Sequence, residues 1–154
     1  MTHLKEGDKA PEINAIDSKG NNIILSNFKG KKVILYFYPK DNTPGCTAEA
    51  CNLTENYDKL LKNGFVIIGV SADNEKSHQN FIEKYSLPFP LIPDIEKKVI
   101  LDYGVWGPKK FMGKAYDGIH RITFVISEDG TILKIFTKVD TKNHTHQILE
   151  ALQK

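Results

Sequence analysis

The stretch of residues 32–46, with the sequence KVILYFYPKDNTPGC, joins two different patterns. Residues 32–38 form a continuous apolar run, which is typical of a strand that is buried on both faces of a sheet. Pro39 ends this run, and the sequence after it predicts a helix over residues 44–63, closed by an Asn-Gly pair. The stretch therefore predicts a helix that begins at the carboxyl end of a buried strand, where open α/β sheets build their sites.

Strand-like and helical patterns alternate on both sides of this stretch. Further strands are predicted at residues 9–16, 22–26, 65–71, 89–92, 121–127 and 131–136, and further helices at residues 76–85, 95–103 and 141–153. This order predicts the α/β class, with a mixed central sheet flanked by helices. Residues 104–120 show no clear period, so we expect a long irregular loop, either functional or folded over the core.

The composition is that of an ordinary globular protein. The 154 residues are 40% apolar and 26% charged, which predicts a single domain over residues 1–154. The net charge of +2, without a dominant basic block, argues against nucleic-acid binding. No apolar run approaches the ~20 residues of a membrane helix, and the first residues lack an apolar signal core. We therefore expect a cytoplasmic protein that does not bind membranes.

Cys46 lies at the start of the helix predicted after Pro39. Thr43 is a suitable N-cap and Pro44 suits the first helical position, so Cys46 becomes the third helical residue. The helix N-terminus favours an anion and should stabilise a thiolate there, but it supplies at most about 2 kcal/mol. A reactive thiolate at this position therefore calls for a cation as well.

Arg121 is the only arginine among the 21 basic residues. Lysine serves as well as arginine for surface charge, whereas a rigid planar fork of donors requires arginine. Arg121 is therefore the candidate partner of the Cys46 thiolate. Two alternatives are a chance occurrence and a fork that satisfies buried carbonyl groups.

The two cysteines, Cys46 and Cys51, are five residues apart. In an intact helix their Cα atoms would lie roughly 8.6 Å apart, whereas a disulfide allows no more than about 7 Å. The cysteines can share an intact helix or be bonded, but not both, so a bond would require the helix to unwind. The alternative is that Cys51 is a small buried apolar residue.

Three separated motifs resemble those of peroxiredoxins, and most closely those of the bacterioferritin comigratory protein (peroxiredoxin Q) subfamily. They are the segment KVILYFYPKDNTPGCTAEAC over residues 32–51, the opening GDKAPE and the run YGVWGPKKFMGKAYDGIHRITFVI over residues 103–126. The resemblance extends over nearly the whole chain and implies a thioredoxin-like fold. It also implies a thiol-dependent peroxidase that reduces hydrogen peroxide and alkyl hydroperoxides in antioxidant defence.

The resemblance assigns roles to individual residues of this sequence. It implies that Cys46 is the peroxidatic cysteine and forms a sulfenic acid, and that Cys51 is the resolving cysteine of an intramolecular disulfide. Thr43 would hydrogen-bond the peroxide, Pro39 would shield the sulfenate, and Arg121 would hold thiolate and peroxide together. Glu49 resembles a residue that orients the arginine, although an exposed helix glutamate is the alternative.

The resemblance further implies thioredoxin as the reductant, no metal, haem or flavin cofactor, and a monomer, because the resolving cysteine is on the same chain. A disulfide oxidoreductase on the same scaffold is a second hypothesis, although it would favour Cys-x-x-Cys spacing. A redox sensor or binding module is a third. His144 and His146 could suggest a metal site, but we expect them to lie at a solvated helix start.

Overall fold

The computed structural model describes residues 2–153. The strands are β1 (Asn14–Ile16), β2 (Asn22–Ile24), β3 (Lys32–Phe37), β4 (Phe65–Ser71), β5 (Leu91–Pro93), β6 (Trp106–Phe111), β7 (Lys114–Ile119), β8 (Ile122–Ile126) and β9 (Ile132–Phe136). The helices are α1 (Pro44–Glu55), α2 (Tyr57–Lys62), α3 (Glu75–Tyr85), α4 (Lys98–Asp102) and α5 (His144–Leu152). Among the described residues, no helix is both long and apolar enough to cross a membrane.

The central sheet has five strands in the order β5-β4-β3-β8-β9. Strands β3, β4 and β5 are parallel, whereas β8 pairs antiparallel with β3 and β9 pairs antiparallel with β8. This arrangement confirms the predicted mixed sheet. Strand β3 lies in the middle of the sheet, so the segment between β3 and α1 begins at the middle of one edge of the sheet.

The apolar run of β3 serves two cores, one on each face of the sheet. Val33, Leu35 and Phe37 pack into one buried cluster, while Ile34 and Tyr36 pack into the other. Successive side chains of a strand point to opposite faces, so a continuous apolar run is what a doubly covered strand requires. The prediction that this strand is buried on both faces is therefore confirmed.

The helix predicted over residues 44–63 is divided in two. It breaks at Asn56, whose side-chain amide donates 2.8 Å to the carbonyl oxygen of Asn52 and whose ψ angle is 13°. An asparagine side chain competes with the backbone for hydrogen bonds and so interrupts regular helix. The first of the two helices, α1, still contains both cysteines.

The irregular loop expected at residues 104–120 is a β-hairpin, so that prediction is wrong. Strands β6 and β7 pair antiparallel from Trp106↔Ile119 to Phe111↔Lys114. Met112 and Gly113 have φ angles of 52° and 80°, as a two-residue hairpin turn requires. Most side chains of this hairpin are exposed on both faces, so no alternation of apolar and polar residues marked its strands.

Candidate active site

The segment between β3 and α1 adopts the local structure that its residue types favour. Thr43 is the N-cap residue with extended backbone angles, Pro44 is the first helical residue and Cys46 the third, as predicted. The Thr43 hydroxyl does not cap the helix, however, and instead donates 2.9 Å to the carbonyl oxygen of Lys40. The backbone N–H groups at the start of α1 therefore have no side-chain acceptor at Thr43, and Cys46 lies among them.

A buried carboxylate anchors the loop that precedes Cys46. The Tyr38 hydroxyl donates 2.6 Å to Asp41 Oδ1, and Ser77 Oγ donates 2.8 Å to Asp41 Oδ2. His78 Nδ1 lies 2.7 Å from the same Oδ2, and the Asp41 backbone N–H donates 2.8 Å to Asp73 Oδ2. These contacts tie the loop to α3 and to the residue that follows β3, and sequence reasoning did not identify them.

Asp41, Asp73 and His78 are also the one group in residues 2–153 with the spacing of metal ligands, since their ligand atoms lie within 4.8 Å of one another. Those atoms already have protein partners. Asp73 Oδ2 accepts from Ser71 Oγ at 2.7 Å, and His78 Nε2 lies 3.0 Å from the carbonyl oxygen of Ile92. We therefore interpret the group as a hydrogen-bonded anchor of the loop.

Arg121 and Cys46 meet at the start of α1, although 75 residues separate them in the chain. Arg121 lies just before β8, and its Nη2 is 3.3 Å from Cys46 Sγ. Cys46 is only 1% exposed, so the guanidinium acts on a sulfur that is largely shielded from water. Gly45 permits this approach, because a Cβ atom there would lie 3.1 Å from Arg121 Nη2.

Glu49 holds the other arm of the same guanidinium. Arg121 Nη1 donates 2.9 Å to Glu49 Oε1, and the carboxyl is fully buried. Burial raises the pKa of Glu49 to about 7, against the opposing effect of Arg121. Glu49 lies one helical turn after Cys46 on α1, so thiol and carboxyl face one arginine. The exposed-glutamate alternative is therefore wrong.

His144 is fully buried behind Glu49, so the expectation of a solvated histidine is wrong at this position. Its Nε2 lies 2.9 Å from Thr123 Oγ1 and 3.5 Å from Glu49 Oε2. Burial lowers the pKa of His144 to about 4. The signal was present in the sequence, since His144 precedes the buried Ile148 by one turn of α5 and shares its face. His146 is 80% exposed, as expected.

Cys51 lies in the same intact helix as Cys46, and both thiols are free. Cys51 is half-buried, and burial raises the pKa of its thiol, with a smaller contribution from Glu55. The next residue, Asn52, donates 2.9 Å to the carbonyl oxygen of Lys142 and accepts 2.8 Å from the backbone N–H of Thr145. The C-terminal half of α1 is therefore tied to the start of α5.

Two further residues lie at the border of the site. Pro39 is half-buried and follows β3 after one intervening residue, Tyr38. Lys109 of β6 donates from Nζ to the carbonyl oxygen of Ile119 at 2.9 Å. Burial lowers the pKa of Lys109, and the charge of Arg121 lowers it further. The base of the exposed hairpin therefore lies within electrostatic reach of the site.

The sequence of this chain is similar to those of known proteins. The family model described as AhpC/TSA matches residues 6–135. The chain is 45% identical over 153 residues to peroxiredoxin Bcp of Escherichia coli (strain K12), which covers 99% of this chain and 98% of that protein. It is 44% identical over 150 residues to peroxiredoxin Bcp of Bacillus subtilis (strain 168), covering 97% of this chain and 96% of that protein.

Solved structures give the same result. A peroxiredoxin Q of Xanthomonas campestris aligns with a TM-score of 0.84 and 35% identity over 92% of this chain and 89% of that chain. A peroxiredoxin Q of Xylella fastidiosa aligns with a TM-score of 0.92 and 28% identity over 99% and 98%. These neighbours share the thioredoxin-like fold. The chain belongs to the AhpC/TSA family, among the peroxiredoxins of the Bcp and peroxiredoxin Q type.

Proposed function

We propose that Cys46 is the peroxidatic cysteine of this peroxiredoxin. One observation carries the proposal: the buried Sγ lies at a helix N-terminus with Arg121 Nη2 at 3.3 Å. Both groups favour the thiolate, which is the nucleophilic form of cysteine. The thiolate attacks one peroxide oxygen, so an S–O bond forms while the O–O bond breaks. Cys46 becomes a sulfenate, and the departing oxygen leaves as water or alcohol with the proton of the hydroperoxide; a proton from water then converts the sulfenate to the sulfenic acid.

Neighbouring residues act on the charge that develops in this step. Arg121 stabilises negative charge as it moves from sulfur to the departing oxygen, because a fixed donor needs no reorganisation. The Thr43 hydroxyl stands at the edge of the site and turns from the Lys40 carbonyl to the peroxide. Pro39 carries no backbone N–H and shields the sulfenate from water.

We assign Cys51 the role of resolving cysteine. Its thiol attacks the Cys46 sulfenic acid, so an S–S bond forms and one water molecule leaves. The first turns of α1 must unwind for this step, because five residues of helix hold the sulfurs apart. The raised pKa of the Cys51 thiol in the folded helix keeps it protonated until then. The disulfide is returned to two thiols by exchange with an external dithiol.

For the substrate and the reductant we propose hydrogen peroxide and alkyl hydroperoxides, with thioredoxin as the dithiol. Support for the alkyl peroxides comes from the alkyl peroxide reduction activity of a Xanthomonas campestris bacterioferritin comigratory protein, which is 35% identical. We further propose one domain over residues 1–154 that works as a cytoplasmic monomer, without a cofactor, in antioxidant defence. An intramolecular disulfide needs no residue from a second chain.

The two cysteine roles are separated by substituting one cysteine at a time. We expect Cys46→Ser to consume no peroxide, and Cys51→Ser to perform one turnover that ends in a sulfenic acid on Cys46. The wild type treated with one equivalent of peroxide should lose two hydrogens within one chain, by mass under non-reducing conditions. If Cys51→Ser leaves peroxide untouched while Cys46→Ser consumes it, the assignment is reversed. Steady turnover of the wild type with thioredoxin, but not without it, tests the reductant.

A further inference from the structure

The second oxygen of the Glu49 carboxyl is a buried polar atom of this site without a hydrogen-bond partner. Oε1 is held by Arg121, whereas Oε2 is buried and makes no hydrogen bond. Nε2 of His144 lies 3.5 Å from Oε2. A buried carboxylate oxygen without a donor is costly, so a proton between these two atoms would remove the deficit.

Nδ1, the other ring nitrogen of His144, has a fixed protonation state. Gln147 Nε2 donates 2.7 Å to the carbonyl oxygen of Lys138, which fixes the orientation of this amide. Gln147 Oε1 therefore points the other way, where it accepts from the backbone N–H of Asp140 at 3.0 Å and lies 2.9 Å from His144 Nδ1. Nδ1 must then carry a hydrogen, so only Nε2 is free to gain or lose a proton.

Several groups surround Glu49 and His144 and influence which of their protonation states is favoured. Those that act on Glu49 or His144 are Arg121 before β8, Tyr36 on β3, Thr123 on β8, and Asp140 and Gln147 around α5, with Cys46 of α1 and Lys109 of β6 acting on Arg121. Burial raises the pKa of Tyr36 well above its ordinary value, so Tyr36 stays neutral. With the thiolate balancing Arg121, one proton shared by Glu49 and His144 leaves the pair without net charge, and Asp140 and Lys109 are charged groups farther out.

We propose that His144 is a positioning residue of the Cys46 site, which shares a single proton with Glu49 between Nε2 and Oε2. This inference rests on the role proposed above for Cys46 and Arg121. The opposed pKa shifts, Glu49 to about 7 and His144 to about 4, are consistent with one proton held mainly on the carboxyl. Two coupled groups lose such a proton in a step that belongs to the pair.

The shared proton determines whether the positive charge of Arg121 stabilises the Cys46 thiolate or the Glu49 carboxylate. While the proton is present, Glu49 orients the guanidinium through Oε1 but does not neutralise it, so the positive charge serves the Cys46 thiolate. When the pair loses the proton, Glu49 becomes a full carboxylate and competes with the thiolate for the same arginine. The reaction of Cys46 with peroxide should therefore slow on the alkaline side of its pH profile.

The first test uses the reduced protein without peroxide, by nuclear magnetic resonance of the Glu49 carboxyl carbon and the ring nitrogens of His144. In the wild type, we expect His144 to stay neutral with its hydrogen on Nδ1. The Glu49 and His144 signals should then change at one common midpoint. Separate midpoints, or a proton on Nε2 in place of Nδ1, would overturn the proposal.

Two variants move that midpoint in opposite directions. His144→Gln supplies an N–H donor but no proton acceptor, so the Glu49 midpoint should fall by roughly one pH unit. Thr123→Val removes the hydroxyl donor that favours an unprotonated Nε2, so the Glu49 midpoint should rise. This variant tests the proposal even where His144→Gln does not fold. His146→Gln, on the same helix, should change neither signal. An unchanged Glu49 midpoint in either folded variant at Thr123 or His144 rejects the shared proton.

The second test follows the rate of Cys46 oxidation by hydrogen peroxide against pH in the same variants. The alkaline decline should move with the Glu49 midpoint, to lower pH in His144→Gln and to higher pH in Thr123→Val. If the midpoints move and the decline does not, the positioning role is wrong although the shared proton stands. If Cys46 fails to react in the wild type as well, the proposed peroxidase role is wrong, and the first test still decides on the proton.

Discussion

At the scale of single residues, Gly45 lets the arginine fork reach the sulfur. Its missing side chain leaves room for Arg121 Nη2, which would lie 3.1 Å from a Cβ atom at this position. The backbone of Gly45 is ordinary helix, so alanine would suit the conformation and is a better helix former by up to about 1 kcal/mol. Alanine at this position would therefore favour helix stability, whereas glycine favours the contact between Arg121 and Cys46.

We expect Gly45→Ala to slow the oxidation of Cys46 by peroxide roughly ten-fold, because a weakened charge-assisted hydrogen bond changes the barrier by about 1.5 kcal/mol. The free energy of unfolding should stay within about 1 kcal/mol of the wild type. Rapid-mixing kinetics and urea unfolding measure the two quantities. Asp58→Ala, at an exposed position of α2, should alter neither, and an unchanged rate in Gly45→Ala would contradict the importance of this close approach.

Residue types revealed part of the site before the fold was known. Arg121 is distinctive because it is the single arginine, and Cys46 because Thr43 and Pro44 define the helix start before it. Glu49 and His144 are different, since their burial depends on α1 and α5 packing against the same region. A glutamate or a histidine in a helix has no local feature that reports such packing, apart from the one-turn spacing between His144 and Ile148.

At the scale of elements, the loop before α1 is held by α3 through a buried pair. His78 Nε2 faces the Ile92 carbonyl, which only accepts, so His78 must donate there and share the proton of Nδ1 with Asp41. His78→Leu should lower the free energy of unfolding by about 3 kcal/mol, because a buried charge loses its partner. It should also slow peroxide consumption, since the loop carrying Thr43 loses its anchor. Urea unfolding checks the first expectation and a peroxidase assay the second.

His120→Leu is the matched control, since the ring of this histidine lies 3.0 Å from the exposed carbonyl oxygen of Pro108 and its position is partly exposed. It should change the unfolding free energy by less than about 1 kcal/mol. Equal losses in the two variants would mean that the Asp41 pair is not the anchor.

A second element-scale feature is the close approach of β4 to its neighbours. A Cβ atom on Gly69 would lie 2.6 Å from Leu91 Cδ2 and 2.9 Å from Tyr36 Cζ. Gly69→Ala should therefore destabilise the protein by about 1–3 kcal/mol through overpacking, as measured by urea unfolding. A variant as stable as the wild type would show that Tyr36 and Leu91 move aside at no cost.

The elements themselves were predictable where a buried face imposed a period. Strands β3 and β4 were found because both of their faces are covered, and α3 because its apolar residues recur at helical spacing. The hairpin of β6 and β7 was missed because Phe111 and Met112 at its tip are 67% and 87% exposed, so no core dictates its pattern. The division between α1 and α2 depends on one asparagine side chain, which local propensity does not resolve.

At the scale of the whole molecule, Glu49 and His144 have opposite effects on how stability depends on pH. Folding raises the pKa of Glu49 from 4.5 to about 7, so between these values the folded state binds the extra proton and stability falls as pH rises. Folding lowers the pKa of His144 from 6.5 to about 4, so the unfolded state binds the extra proton and stability rises with pH. Between about pH 4.5 and 6.5, each state holds one proton on this pair, and the two slopes cancel.

Glu49→Gln removes the effect of Glu49 on the pH dependence of stability. The opposite effect of His144 is then no longer cancelled. We expect the unfolding free energy of the reduced variant, relative to the wild type, to rise with pH by up to about 1.4 kcal/mol per unit between about pH 4.5 and 6.5. His144→Gln should give the opposite slope as long as burial keeps the Glu49 pKa raised. Urea unfolding at a series of pH values measures both, and Glu150→Gln, in the exposed pair with His146, provides the control. Because all other titrating groups are common to the variants, parallel curves for Glu49→Gln and the wild type would mean that folding does not trade a proton between these two side chains.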